Sequence, residues 1–172
     1  GQAVNWYRKA AEQGNVGAQV SLGLKYHYGK GVTKDYGQAV NWYRKAAEQG
    51  NAVAQMNLAL MYYRGQGVVQ NYDQAFKWTR KAAEQGNAQG QAMLADMYEN
   101  EIGVSKNEIL AYMLYNLASV NDEKYISSRD SMAKKLAPDQ LAEAQNLAVN
   151  WKVGTPLPTT TKINRKLKYE LQ

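Results

Sequence analysis

The chain has 172 residues, a formal net charge of +6 and no cysteine. The absence of cysteine excludes disulfide frameworks, thiol catalysis and thiolate zinc sites. No apolar run approaches the ~20 residues of a membrane-spanning helix, so we expect no membrane insertion. His27 is the single histidine and cannot form a histidine-based metal cluster by itself, so we interpret it as a surface or groove residue and expect no metal and no cofactor.

An internal repeat with a period of 36 residues organises the chain. The stretch GQAVNWYRKAAEQGN at residues 1–15 recurs unchanged at residues 37–51, and more divergent copies follow in the same register. Self-similarity at a fixed period of this length is typical of solenoid proteins. The chain also begins inside a helical pattern without an initiator methionine, which indicates a segment of a longer protein.

Residues 15–28 predict the first helix of a complete period. Asn15 precedes it as a helix cap, and five residues share one face at helical spacing, namely Ala18, Gln19, Leu22, Gly23 and Tyr26. The following Gly29-Lys30-Gly31-Val32 contains two glycines suited to a tight return turn. We expect Val32 to plug into the core beneath that turn.

Residues 35–50 predict the second helix of the period. Asp35 is a favourable N-cap, with Gln38 three residues later as in a capping box, and Gly50 is placed to end the helix in a left-handed conformation. At 100° per residue a single apolar face results, made of Tyr36, Ala39, Val40, Trp42, Tyr43, Ala46 and Ala47. Each period therefore predicts an antiparallel pair of helices.

The residues that recur in this way resemble the Sel1-like repeat, a relative of the tetratricopeptide repeat. The residues that carry the resemblance are Ala18, Leu22, Gly23, Tyr26, Gly29, Gly31, Val32, Asp35, Ala39, Trp42, Lys45, Ala46, Ala47 and Gly50. The resemblance implies an all-α fold, a right-handed α/α superhelix of stacked helix pairs used as a protein-binding scaffold. It also implies a bacterial source and favours the periplasm or secretion.

The register divides the chain into repeats, a cap and a tail. We predict a half repeat at 1–14, repeats at 15–50, 51–86 and 87–122, capping helices at 123–151 and a basic tail at 152–172. The last repeat departs from the pattern, because Glu101 replaces a loop glycine, Leu110 breaks the capping pair and Leu114 replaces tryptophan. We expect a loop at Glu101 that is strained or rebuilt, and an array that ends there.

The basic tail is rich in threonine, proline and lysine, and we expect it to be extended at residues 155–161. Its apolar anchors are Ile163, Leu167, Tyr169 and Leu171. We expect these to dock either on the last helices near Trp151 or on a neighbouring molecule, which would produce self-association. The alternative is a tail that docks nowhere.

Positions that differ between repeats predict the recognition face. On the first helix of each pair they cluster on one side, and in repeats of this kind that helix lines the concave groove. The candidate partner-binding residues are Ser21, Leu24, Tyr28, Asn57, Leu60, Arg64, Met93, Asp96 and Asn100. Their neighbours Val20, Met56 and Ala92, and also Leu24 and Leu60, have an alternative role in packing against the adjacent repeat.

The predicted function is that of an adaptor that binds a protein or peptide in this groove. Two alternatives remain. Ser131 and Lys134 match the S-x-x-K motif of serine β-lactamases, although the companion motifs are absent, and the array could also be a purely structural spacer. Basic residues alternate with Glu48 and its counterparts, so we expect no nucleic-acid partner.

Overall fold

The computed structural model describes residues 2–162, and every regular element in that range is helical, which confirms the predicted all-α class. The helices are α1 (Gln2–Glu12), α2 (Val16–Tyr28), α3 (Tyr36–Glu48), α4 (Ala52–Arg64), α5 (Tyr72–Glu84), α6 (Ala88–Asn100), α7 (Glu108–Asn121), α8 (Ile126–Ala133) and α9 (Pro138–Asn150), with a 3-10 turn at Glu123–Tyr125. Within the described range, no helix has the length and apolarity needed to cross a bilayer.

Two compact units make up the chain. The first, residues 1–82, contains α1 to α4 and most of α5, and the second, residues 83–172, contains the last turn of α5 and the helices after it. Each unit is described by itself below, as unit 1 and unit 2.

The helix starts are capped as their sequences predict. The side chain of Asn15 accepts a hydrogen bond from the backbone N–H of Ala18 at 2.8 Å, and Asp35 accepts one from Gln38 at 3.0 Å. Gly50, just beyond α3, has φ +91°, the left-handed conformation that glycine adopts without a side-chain clash. These local signals place the helix boundaries.

The core of unit 1 consists of the two predicted apolar faces. Trp42 packs on Val4 and Leu22, while the ring of Tyr43 is completely buried in a neighbouring cluster. Gly23 lets α2 and α3 approach closely, because a Cβ atom at this position would lie 2.5 Å from that ring. The spacing of small and large residues therefore sets the distance between these helices.

A buried glutamine recurs at the same position of successive repeats, where its side chain donates a hydrogen bond to a backbone carbonyl. Gln19 donates its side-chain N–H to the carbonyl of Ala11 at 3.1 Å, and Gln55 does the same to Ala47 at 3.2 Å. These carbonyls belong to the last turn of the preceding helix, where they also accept the backbone N–H of Gly14 or Gly50, each at 3.0 Å. The polar side chain on an apolar face thus adds a second hydrogen bond to a carbonyl at the helix end and is itself buried with a partner.

The return turns of unit 1 are anchored at both ends. Gly29 ends α2 with φ +70°, and the N–H of Asp35 donates to the carbonyl of Tyr26 at 2.9 Å before α3 begins. Val32 packs against the cluster that contains Trp42, as its position in the turn predicts.

In unit 2, α7 contacts α6, α8 and α9 and is buried along most of its length. Leu110 stands where Gln38 stands in the first capping pair, and the cap of α7 persists without that glutamine. Asn107 still accepts a hydrogen bond from the backbone N–H of Leu110 at 3.0 Å, because that bond does not involve the side chain at this position.

The first residues of the tail are hydrogen-bonded to the end of α5. The N–H groups of Gly154 and Leu157 donate to the backbone carbonyl and the carboxylate of Glu84, at 2.7 and 2.9 Å. Leu157 and Thr161 are buried, so this part of the tail has a defined place. The four predicted anchors, Ile163, Leu167, Tyr169 and Leu171, lie outside the described residues.

Glu101 occupies the left-handed position that glycine holds in the sister repeats. Its φ is +57°, against +70° at Gly29 and +66° at Gly65, so the loop keeps its geometry and the side chain is the strained element. We expect Glu101→Gly to raise the free energy of unfolding by about 1 kcal/mol, measured by urea denaturation. Gly65→Glu is the reciprocal control and should be destabilising, and an unchanged midpoint for both variants would refute this explanation.

Candidate functional site

The candidate residues of unit 1 differ sharply in exposure. Tyr28, at the end of α2, is 61 % exposed, and Arg64, at the end of α4, is also exposed. Ser21, Asn57 and Leu60 are half-buried. The ends of these two helices therefore present the side chains that a partner can reach.

Leu24 is half-buried and packs against the core cluster of α3 and α4, as does Val20. Met56 and Ala92 are buried. Leu24 and Val20 therefore contribute to the packing of the core, and Met56 and Ala92 have little accessible surface.

On α6, in unit 2, the candidate residues form a polar pair beside a half-buried methionine, Met93. The side-chain N–H of Asn100 donates to Oδ1 of Asp96 at 2.8 Å. Burial raises the pKa of the Asp96 carboxyl, and the hydrogen bond from Asn100 opposes that rise. This end of α6 also carries Glu99, which pairs with Lys135 at 2.6 Å.

An aromatic cluster surrounds His27 at the end of α2. Its ring centroid lies 4.6 Å from that of Tyr28, 5.3 Å from Tyr36 and 6.2 Å from the buried Tyr43. The Nδ1 atom of His27 and the hydroxyl of Tyr43 are both buried, and neither has a hydrogen-bond partner within residues 2–162. Buried polar atoms without a hydrogen-bond partner are uncommon in a folded protein, and here two belong to neighbouring rings.

Positive charge accumulates around this cluster. Nζ of Lys34 lies 4.5 Å from the centre of the Tyr36 ring, and Nζ of Lys30 lies 5.6 Å from that of Tyr28. Both distances are within the range of a cation–π interaction. In the described part of the chain, no carboxylate pairs with Lys30, Lys34 or Arg64. We name this surface the aromatic–basic patch and define it as His27, Tyr28, Lys30, Lys34, Tyr36 and Arg64.

The pKa of His27 is lowered from its ordinary value of 6.5, first by burial and then by the positive charges of Lys34 and Arg64. The imidazole is therefore mostly neutral at pH 7. The two cations that act on this ring come from the loop after α2 and from the end of α4.

The sequence predicts Tyr28 and Arg64 as candidate residues but does not predict the aromatic–basic patch as a unit. It indicates only a surface or groove position for His27, and it gives no signal for Lys34. One signal was available, because the counterparts of His27 in the next copies are Tyr63 and Glu99, so the position varies. The assembly of residues 27–36 with residue 64 depends on tertiary packing.

The alternative nucleophile has no catalytic geometry. Ser131 and Lys134 are both exposed, at the end of α8, and neither side chain has a hydrogen-bond partner among residues 2–162. Nucleophilic catalysis requires the hydroxyl to be held against its base, and this arrangement is not present.

Comparison with known proteins identifies the repeat. The Sel1 repeat matches the chain at residues 1–15, 16–51, 52–87 and 88–119. The chain belongs to the Sel1 repeat family. Sel1 repeat proteins generally bind protein partners, and the fold is typically a non-catalytic scaffold. A comparison with curated proteins finds no match.

Two solved Sel1-type structures are similar to the chain. A Sel1 repeat protein from Oxalobacter formigenes is 34 % identical, with a TM-score of 0.69, over 76 % of this chain and 98 % of that one. A protective antigen of uropathogenic Escherichia coli strains, displaying an SLR fold, is 34 % identical with a TM-score of 0.55, over 85 % of this chain and 39 % of that one. The fold is therefore that of Sel1-like repeat proteins.

The lowered pKa of His27 predicts a pH dependence of stability. Below pH 6.5 the unfolded chain takes up a proton that the folded chain resists, so stability is fully present above pH 6.5 and falls as the pH drops toward the folded-state pKa. We expect the melting temperature to fall between pH 7 and pH 5, and to fall less in His27→Gln. Identical pH profiles for the two proteins, measured by circular dichroism, would contradict the account.

Proposed function

We propose that the chain is an adaptor that binds a protein or peptide partner through the exposed ends of α2 and α4. The observation that carries the proposal is the exposure of Tyr28, a large aromatic side chain that is 61 % exposed. Tyrosine and arginine are the residue types most often responsible for binding energy at protein interfaces. Here Tyr28 and Arg64 lie at corresponding ends of neighbouring repeats.

The half-buried polar residues beside them support the proposal. Ser21 and Asn57 each lie about two helical turns before the exposed end of their helix and keep part of their surface accessible. An apolar or aromatic anchor flanked by short polar side chains is suited to an extended peptide, whose backbone groups need hydrogen-bond partners.

Site-specific photo-crosslinking tests the proposal. A photoreactive phenylalanine analogue at position 28 or 57 is expected to form covalent adducts with a partner in an extract of the source organism. The matched control is position 41 on α3, which is exposed like position 28 but lies outside the predicted face.

Adducts at positions 28 and 57 without adducts at 41 would support binding at this face. Adducts at 41 alone would place the partner elsewhere on the chain. No adduct at any position would favour the structural spacer over the adaptor.

A further inference from the structure

We propose that the aromatic–basic patch is a subsite for a carboxylate group of an acidic peptide segment in the partner. The proposal rests on the proposed function and adds the chemistry of the ligand. It names Lys34 and Arg64 as the groups that bind the carboxylate and Tyr28 as the surface on which the adjoining side chain lies.

The charge of the patch is the first argument. Three cations, Lys30, Lys34 and Arg64, lie around one aromatic cluster, and within residues 2–162 none of them has an ion-pair partner. Some lysines elsewhere in the described range do form close pairs, such as Lys135 with Glu99 at 2.6 Å. The patch therefore has unneutralised positive charge, and a carboxylate is the complementary group in a protein partner.

The side-chain chemistry is the second argument. The guanidinium of Arg64 presents paired N–H donors that match the two oxygens of a carboxylate. Lys34, held over the Tyr36 ring, supplies a second cation, and both charges act on the same imidazole. The exposed ring of Tyr28 adds apolar surface beside them, so the patch favours an acidic residue next to an aliphatic or aromatic one.

The next copy of the repeat is an internal control. The counterparts of His27, Lys34 and Tyr36 are Tyr63, Gln70 and Tyr72. There the two tyrosine rings pack 5.4 Å apart, and Gln70 donates to the carbonyl of Tyr63 at 2.8 Å. At this second position the uncharged Gln70 replaces Lys34 and is bonded to a backbone carbonyl, so the lysine of the subsite has no equivalent there.

His27 supplies a direct readout of occupancy. It is the only histidine in the chain, so its imidazole C–H signals in an NMR spectrum are free of overlap with other histidines. The charged groups that act on it are Lys34 and Arg64, and the rings of Tyr28, Tyr36 and Tyr43 lie around it. A bound carboxylate would offset the two positive charges and raise the pKa of His27 toward its ordinary value.

The experiment is an NMR titration of the full chain with three probes. These are a short acetylated and amidated peptide of alternating Glu and Leu, the same peptide with Gln in place of Glu, and inorganic phosphate. We expect saturable binding of the Glu peptide alone, with a rise in the pKa of His27. Lys34→Gln and Arg64→Gln should each weaken that binding about tenfold, whereas Lys45→Gln, which removes an exposed charge from α3, should leave it within about twofold.

Three results would overturn the proposal. The Glu peptide could fail to bind, phosphate could bind as tightly as the peptide, or Lys45→Gln could weaken binding as much as Lys34→Gln. Melting curves of the three variants keep a folding defect distinct from a binding defect. If crosslinks form at position 28 but the Glu peptide does not bind, the proposed adaptor function stands and only the proposed carboxylate subsite is refuted.

Discussion

Trp42→Ala is expected to lower the free energy of unfolding by about 3–5 kcal/mol, the usual cost of removing a large buried aromatic side chain. The indole is only 8 % exposed and packs on Val4, Ala18 and Leu22, which belong to α1 and α2. Its loss leaves a cavity between consecutive helix pairs. In a repeat array that also weakens the coupling between neighbours, and chemical denaturation followed by circular dichroism measures the change.

Trp6 is the matched control for Trp42. It occupies the same place in the preceding copy of the repeat but is 78 % exposed. Trp6→Ala should therefore change the free energy of unfolding by less than about 1 kcal/mol. Equal effects at the two positions would mean that the burial of Trp42 is not the source of its contribution.

Gly67→Ala is expected to be destabilising by about 3 kcal/mol, from two effects that add. Gly67 has φ +70°, where a side chain costs about 1–2 kcal/mol. Its Cβ atom would also lie 2.5 Å from the carbonyl carbon of Tyr36 and 2.9 Å from the backbone nitrogen of Gly37. These are backbone atoms at the start of α3, so they cannot rotate away, and relief requires the helix to shift.

Gly31 separates the two effects. It is the equivalent residue of the preceding turn and has a similar φ, +76°, but its Cβ atom would meet only a methyl group of Val4 at 3.6 Å. Gly31→Ala should cost only the backbone strain, about 1–2 kcal/mol. If thermal and urea denaturation give the same loss for both variants, the close approach of the turn to α3 does not contribute.

The parts of the fold that were predictable from sequence are those with local causes. Asn15, Asp35 and Asn51 cap helices through side chains that bond to amides three residues away, and the pattern of small and apolar residues repeats with the helical period. Glu101 is a similar case, since its alignment with Gly29 and Gly65 identifies a left-handed position. Because the repeat occurs several times in the chain, each of these local signals occurs more than once.

The candidate site was less predictable because it depends on tertiary neighbours. Leu24 and Tyr28 are one turn apart on the same predicted stripe, yet Leu24 packs on the core and Tyr28 is exposed. Their difference in burial depends on where α3 and α4 lie, and the periodicity of α2 carries no information about those positions. The convergence of Lys34 and Arg64 on His27 has the same origin.

Affinity for the partner captured by crosslinking tests the central claim most directly. Isothermal titration calorimetry compares three proteins: the unmodified chain, the double variant Tyr28→Ala with Arg64→Gln, and a control double variant. The control combines Asn41→Ala with Lys45→Gln, two exposed positions on α3. We expect the first pair to weaken binding more than about tenfold, since each position has the character of an interface anchor, and the second pair to leave it within about twofold. Equal affinities for all three proteins would contradict the account.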